Sequence, residues 1–250
     1  MAMLRLAVAV AGALALAACG SQEEPAEEPA AKGASPTPVS SRADAPDLAI
    51  CPTPEALDPG TRLRTESIAV PAALKGVMRS DMENFALSTL GGGTVCVDAS
   101  WMETVDNARL SPDGRFVSFD WFGYEAFGHV IVDRDGKGTV IDPGVKPLAS
   151  PSGKLLAAID ITESGYGPMN AFTVWRIDTA SIGQLAQVED VPAATDWKVE
   201  RWSGKDCVEL SAIPWEVYAD TAAPPNPPRD AYHSLAAAGW SVAPGRCPAA

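Results

Sequence analysis

Four carboxylates, Asp120, Glu125, Asp160 and Glu163, fall in or beside two glycine- and aromatic-bearing stretches, DWFGYEAFG at 120–128 and TESGYGPMN at 162–170. Two acids held at a fixed separation can do acid/base work on a glycosidic bond, one donating a proton while the other stays ionised. Nothing in their spacing singles out such a pair. The same stretches bring Tyr124 with Glu125, and Tyr166, into equivalent loops. Aromatic rings beside carboxylates on a rigid scaffold suit contact with a protein or a glycan. Trp121 and Phe122, at the strand end, are expected to close the core instead. Contact through Tyr124, Glu125 and Tyr166 is therefore the leading expectation, and an envelope glycan hydrolase or lyase built on the carboxylates is the alternative. No G-x-S-x-G, S-x-x-K, H-E-x-x-H or G-x-x-x-x-G-K-[ST] pattern occurs. The two histidines, His129 on a strand and His233 in a short helix, are expected to be structural or exposed.

The cysteines point to an oxidising compartment. Setting Cys19 aside leaves Cys51, Cys96, Cys207 and Cys247, an even number that allows three disulfide connectivities. Cys51 with Cys96 and Cys207 with Cys247 is favoured, because each bond would fasten a loosely structured end onto a nearby strand. No two cysteines are close in sequence and neither histidine stands near one at ligand spacing, so no zinc site is expected. DRDGKG at 133–138 has part of a calcium-loop pattern, but its first ligand position falls on Ile131 and the bidentate acid is missing. It reads as a hairpin with Asp135-Gly136 in a type I′ turn. No metal and no cofactor are expected. The net charge of −13 repels phosphate backbones, which argues against nucleic acid as a partner.

The elements that would position these residues repeat. Stretches beginning at Phe85, His129 and Phe172 each run through two strands and a connection into a turn, S-P-D-G-R, S-P-S-G-K or W-S-G-K-D, that opens another strand. Proline fixes φ at the first central position, Asp or Ser bonds back to the backbone, and glycine accepts positive φ. Apolar residues at both parities in 154–161 and 171–177 suit strands buried on both faces. A period of 43 to 44 residues with four short strands per unit predicts a mainly β fold: a partial or small propeller-like stack of three to four blades. LSPDGRFVSF (110–119) and ASPSGKLLAA (149–158) resemble the TolB-type propeller repeat, over about half the chain. That resemblance implies a protein-contact role in the bacterial envelope. Either the flanking segments 66–70 and 232–242 complete a fourth blade, or the fold stays open as a curved stack, whose edge strands could pair with a second copy. Short helices are expected within 71–85, from the spacing of Leu74, Val77, Met78, Met82 and Phe85, and at 231–238, capped by Asp230 and ended by Gly239.

At the N-terminus a single Arg5 precedes the apolar run Leu6 to Ala18, too short for a permanent membrane helix and shaped like a secretory signal. Leu16-Ala17-Ala18-Cys19 resembles the lipobox of bacterial lipoprotein signal peptides. The resemblance implies removal of residues 1–18, a diacylglyceryl thioether at Cys19 and anchoring by two or three acyl chains, enough for stable attachment. Gly20, rather than an aspartate that would retain the protein in the inner membrane, implies an outer-membrane anchor facing the periplasm. Residues 19–47 carry five prolines through Pro46 and no apolar periodicity, and read as a disordered tether. Such a tether reaches on the order of 30 Å as a coil and about 85 Å if extended. The β domain is placed at 48–220, and a Pro-rich strap with a disulfide-tied end at 221–250. The expected protein is a membrane-anchored, non-enzymatic interaction module whose partner is an envelope protein or cell-wall component.

Overall fold

The computed structural model describes residues 45–53, 64–161, 171–219 and 224–249. The expected signal peptide, Cys19 and nearly all of the tether lie outside them, as do Glu163 and Tyr166. The described chain is mainly β and forms four antiparallel sheets, each built from strands consecutive in sequence. The first contains β1 (Met78–Ser80), β2 (Asn84–Ser88) and β3 (Thr94–Asp98). The second contains β4 (Thr104–Leu110), β5 (Phe116–Gly123), β6 (Ala126–Asp133) and β7 (Thr139–Ile141). The third contains β8 (Leu148–Ala149), β9 (Leu155–Ile159), β10 (Phe172–Ile177) and β11 (Ile182–Val188). The fourth contains β12 (Ala194–Ser203), β13 (Cys207–Pro214), β14 (Asp230–Leu235) and β15 (Val242–Pro244).

Alternation of side chains along each strand sorts the apolar residues into layers between sheets. Phe85 and Leu87 of β2 meet Val117, Phe119 and Trp121 of β5 and Val130 and Val132 of β6 in one buried layer. The opposite face of β6 puts Ile131 against Leu156 and Ala158 of β9 and Trp175 of β10. The other faces of β9 and β10 bury Ile159, Phe172 and Val174 against Val208, Leu210 and Ala212 of β13. Apolar residues at both parities of β6, β9 and β10 are therefore required by burial on two faces.

Polar ties accompany each layer. The buried Arg134 donates from Nε to the Ser88 carbonyl at 2.6 Å and from Nη1 to the Gly114 carbonyl at 2.5 Å, joining the first two sheets. Arg115 grips the fully buried Asp133 with two bonds of 2.9 and 2.8 Å and reaches the Asp178 carbonyl, beside the third sheet, at 2.7 Å. The Trp202 indole N–H donates to the Leu148 carbonyl at 3.0 Å, joining the last two sheets.

The repeated turns sit between the first and second strands of their sheets. In both Ser111–Gly114 and Ser150–Gly153 the glycine N–H donates to the serine carbonyl at 2.8 Å. The serine hydroxyl in each accepts from the backbone N–H five residues on, at 2.8 Å from Phe116 and 3.1 Å from Leu155. Gly114 and Gly153 take φ of +72° and +66°, and Gly204 of the third turn takes +71°, a left-handed region that glycine enters without steric cost.

The outer faces of the first and fourth sheets each carry a flank of the chain. Cys96, opposite Ala86 on the outward face of β2 and β3, is bonded to Cys51, and the Asn84 amide donates to the Pro52 carbonyl at 3.0 Å. Cys207, on the outward face of β13, is bonded to Cys247.

Several sequence expectations change. The helix expected within 71–85 is a single 3-10 turn, Ala72–Leu74, followed by β1 and β2. The Asp81 carboxylate accepts the N–H groups of Glu83 and Asn84 and turns the chain into a hairpin, whose ladder wins over helical spacing. The helix expected at 231–238 is the strand β14, paired on both sides, with only Ala236–Ala238 in a 3-10 turn before Gly239 at φ +66°. His233 accordingly lies on a strand. Asp135-Gly136 is not a type I′ turn: Asp135 lacks the positive φ that turn demands, and Asp133 pairs with Thr139 around a five-residue loop. Segment 66–70 forms no strand, and the fourth sheet is completed by β14 and β15.

Candidate functional site

The tightest hairpin joins β5 to β6. Gly123 pairs with Ala126, leaving only Tyr124 and Glu125 in the turn, where Glu125 takes a φ of +55°. Both side chains are exposed, Tyr124 by 67%. Phe122 and Phe127 stand directly opposite each other below the turn and are 45% and 59% exposed. Phe122 therefore does not close the core as expected; Trp121, one residue earlier and on the opposite face, does. The carbonyl of Trp101, itself 58% exposed, packs so close to Gly123 that a Cβ there would lie 2.2 Å away. Phe122, Tyr124 and Phe127 thus stand exposed at one end of the second sheet with Glu125, while the Trp101 backbone packs on the Gly123 and Trp121 face of the same hairpin.

Two glycines make this end possible. Gly123 leaves room for the Trp101 backbone, and Gly128, opposite Trp121, leaves room for its indole. A Cβ at Gly128 would stand 2.4 Å from the indole nitrogen. Gly128→Ala is therefore expected to cost about 1–3 kcal/mol through forced repacking of a buried tryptophan. A chemical denaturation midpoint unchanged from the wild type would refute that account.

Two residues further down the same face, Asp120 pairs with His129 across the ladder, and the His129 Nδ1 lies 2.5 Å from the Asp120 carboxylate. Asn107, held at φ +52° in a β4 bulge, donates to the other carboxylate oxygen at 2.6 Å. Burial would raise the Asp120 carboxyl, but the bonds from His129 and Asn107 outweigh it and hold the group below its ordinary range. His129 is buried, and alternation along β6 points it, like Ile131, toward the third sheet. Asp160, directly after β9, continues the Leu156 and Ala158 face of that strand and is 7% exposed. Asp160 also borders an open cleft of about 360 Å³ with Ile161, Ala171, Glu189 and Val191.

Of the residues singled out in the sequence, Tyr124 and Glu125 come together at the hairpin tip, while Asp120 and Asp160 turn into the body. His233 lies away from both, on half-buried β14. Phe127, Trp101 and Asn107 carry no motif. Phe127 is nevertheless legible once a two-residue turn at 124–125 is assumed, since it must then share a rung and a face with Phe122. Among the described residues no group of three or more His, Cys, Asp and Glu side chains is placed to hold a metal ion. None of their helices is long and apolar enough to cross a membrane. No family model matches the chain, and no curated protein matches it.

Proposed function

We propose that this protein is a membrane-anchored, non-enzymatic interaction module of the bacterial envelope. The body is read as an open, propeller-like stack of four blades, carried by an acyl anchor at Cys19 on a tether that lets it stand clear of the membrane, with the outer membrane and periplasm as its setting. Support for an open stack comes from the outer faces of the end sheets, each occupied by a disulfide-fastened flank. The observation that carries the binding role is the set of three exposed aromatic side chains, Phe122, Tyr124 and Phe127, at one hairpin end. Clustered exposed apolar rings with a polar rim are how soluble proteins mark contact sites, and aromatic anchors dominate the energetics of such sites.

The glycan hydrolase or lyase alternative has less behind it. Asp120 is engaged by His129 and Asn107, Glu125 is exposed at the hairpin tip, the cleft beside Asp160 is lined by neither of them, and Glu163 lies outside the described residues.

Crosslinked capture from envelope fractions, comparing the wild-type chain with a Tyr124→Ala, Phe127→Ala double variant, tests the binding reading. Both positions are exposed, so stability should move by no more than about 0.5 kcal/mol, whereas loss of two anchors should weaken a partner at least about tenfold. A partner retained equally by both proteins would remove this surface from consideration.

A further inference from the structure

At the seam between the second and third sheets, two acids border one glycine. Asp142, just after β7, accepts the Gly144 N–H at 3.1 Å. From the other sheet, Asp160 sits so tightly against Gly144 that a Cβ on that glycine would lie 1.9 Å from its Oδ2. Gly144 is buried and held at φ +74°, so the Asp142-Pro143-Gly144 turn is fixed against the end of β9. Asp160 is itself at the root of its hairpin, where its N–H donates to the Ala171 carbonyl at 3.0 Å. Other charges reach the seam. His129 acts on Asp142 from β6, Asp120 lies behind His129, Lys146 acts on Asp120 from the β7–β8 connection, and Glu189 lines the cleft that Asp160 borders.

We infer that this seam is a proton-operated latch: a proton carried by Asp160, against Gly144 and beside Asp142, seats the 142–144 turn on the end of β9 in mildly acidic surroundings, and losing it loosens that contact. Two carboxylates packed against one turn, Asp160 buried and Asp142 half-buried, cannot both ionise without repulsion, and withdrawal from water penalises each charge. Burial and the neighbouring Asp142 push the Asp160 carboxyl up from 3.8 to about 6, and burial raises Asp142 as well. A carboxyl raised in the folded state makes that state bind more protons than the unfolded chain. The sign is then fixed: stability from this group is greatest in acid and is lost as pH rises toward and through the folded value.

The test compares wild type with Asp160→Asn in denaturant unfolding at pH 4.5 and 7.5. The wild-type folding equilibrium should fall roughly 30-fold relative to the variant between those pH values, and the variant's own dependence on Asp160 is gone by construction. Parallel pH profiles would overturn the latch. Amide exchange at Gly144 and Asp160 reports the contact itself: beyond the intrinsic pH trend, protection should rise on acidification in the wild type and not in the variant. Should the variant fail to fold, carboxyl carbon NMR of the wild type decides, an Asp160 midpoint near 6 supporting the latch and one near the ordinary 3.8 refuting it.

Discussion

Replacing Arg115 with methionine is expected to destabilise the protein by about 3–5 kcal/mol, the range seen when one partner of a buried ion pair is removed. Asp133 is fully buried, and Arg115 supplies both of its charge-assisted bonds. Burial alone would raise the Asp133 carboxyl, yet the Arg115 guanidinium and the backbone N–H groups of Asp135 and Ile182 hold it below the ordinary carboxylate range. Methionine keeps most of the side-chain volume and removes the charge, so the loss is electrostatic rather than a cavity. It also deletes the bond to the Asp178 carbonyl, the reach from the second sheet to the third. The pH dependence separates this mechanism from simple mispacking. A carboxyl depressed in the folded state contributes stability above its unfolded value and loses it as pH falls through the folded value. In Arg115→Met the stranded Asp133 takes up a proton more readily, so the gap between wild type and variant should narrow on acidification from pH 7. Urea titrations showing the same gap at pH 7 and at about pH 4 would point to lost packing instead.

The parts of this fold that could be read from the chain are those whose local chemistry leaves one option. The S-P-x-G turns are such a case: proline, a back-bonding side chain and a left-handed glycine specify a reversal regardless of what surrounds it. Strands β9 and β10, apolar at both parities, likewise had to be covered on two faces. The two misread helices fail for the converse reason. Leu74, Met78 and Phe85 share one buried layer, which helical spacing and a 3-10 turn followed by a hairpin satisfy equally well. Only the Asp81 turn and pairing with β3 decide between them. At 231–238 the alternation of buried Tyr232 and Ser234 was the better signal, but the alanines that follow mask it. The site was partly legible. Tyr124 and Glu125 had to be exposed once the turn was placed, whereas the Asp142–Gly144–Asp160 contact joins residues of different sheets and has no local signature.

Removing either disulfide by paired Cys→Ser substitution is expected to cost about 4 kcal/mol in the chain-entropy account, since the bonds close loops of similar length, with sequence separations of 45 and 40 residues. Equal cost does not mean equal consequence. The flank tied by Cys51 also holds the first sheet through Asp47 N–H to the Thr94 hydroxyl at 2.9 Å and the Asn84 amide to the Pro52 carbonyl at 3.0 Å. Without the bond, residues 45–53 lose their fixed anchor and the outward Asn84–Ala86 face opens to water. The Cys247 flank sits instead over a charged surface where Glu209 pairs with Arg201 at 3.0 Å and lies 3.9 Å from Arg246. Arg201 and Arg246 are already largely exposed and Glu209 is the buried member, so freeing the flank hydrates a charge and exposes little apolar area. Hydrogen exchange should therefore show lost protection spreading into β2 and β3 when Cys51 and Cys96 are replaced, and confined to the terminal segment when Cys207 and Cys247 are replaced. The same contrast bears on how the stack ends. An uncovered first sheet presents a β face and an edge that a second copy could join, so the Cys51→Ser, Cys96→Ser protein should self-associate at concentrations where the other variant remains monomeric in sedimentation. Equal association of both variants would mean that the N-terminal flank does not act as a cap.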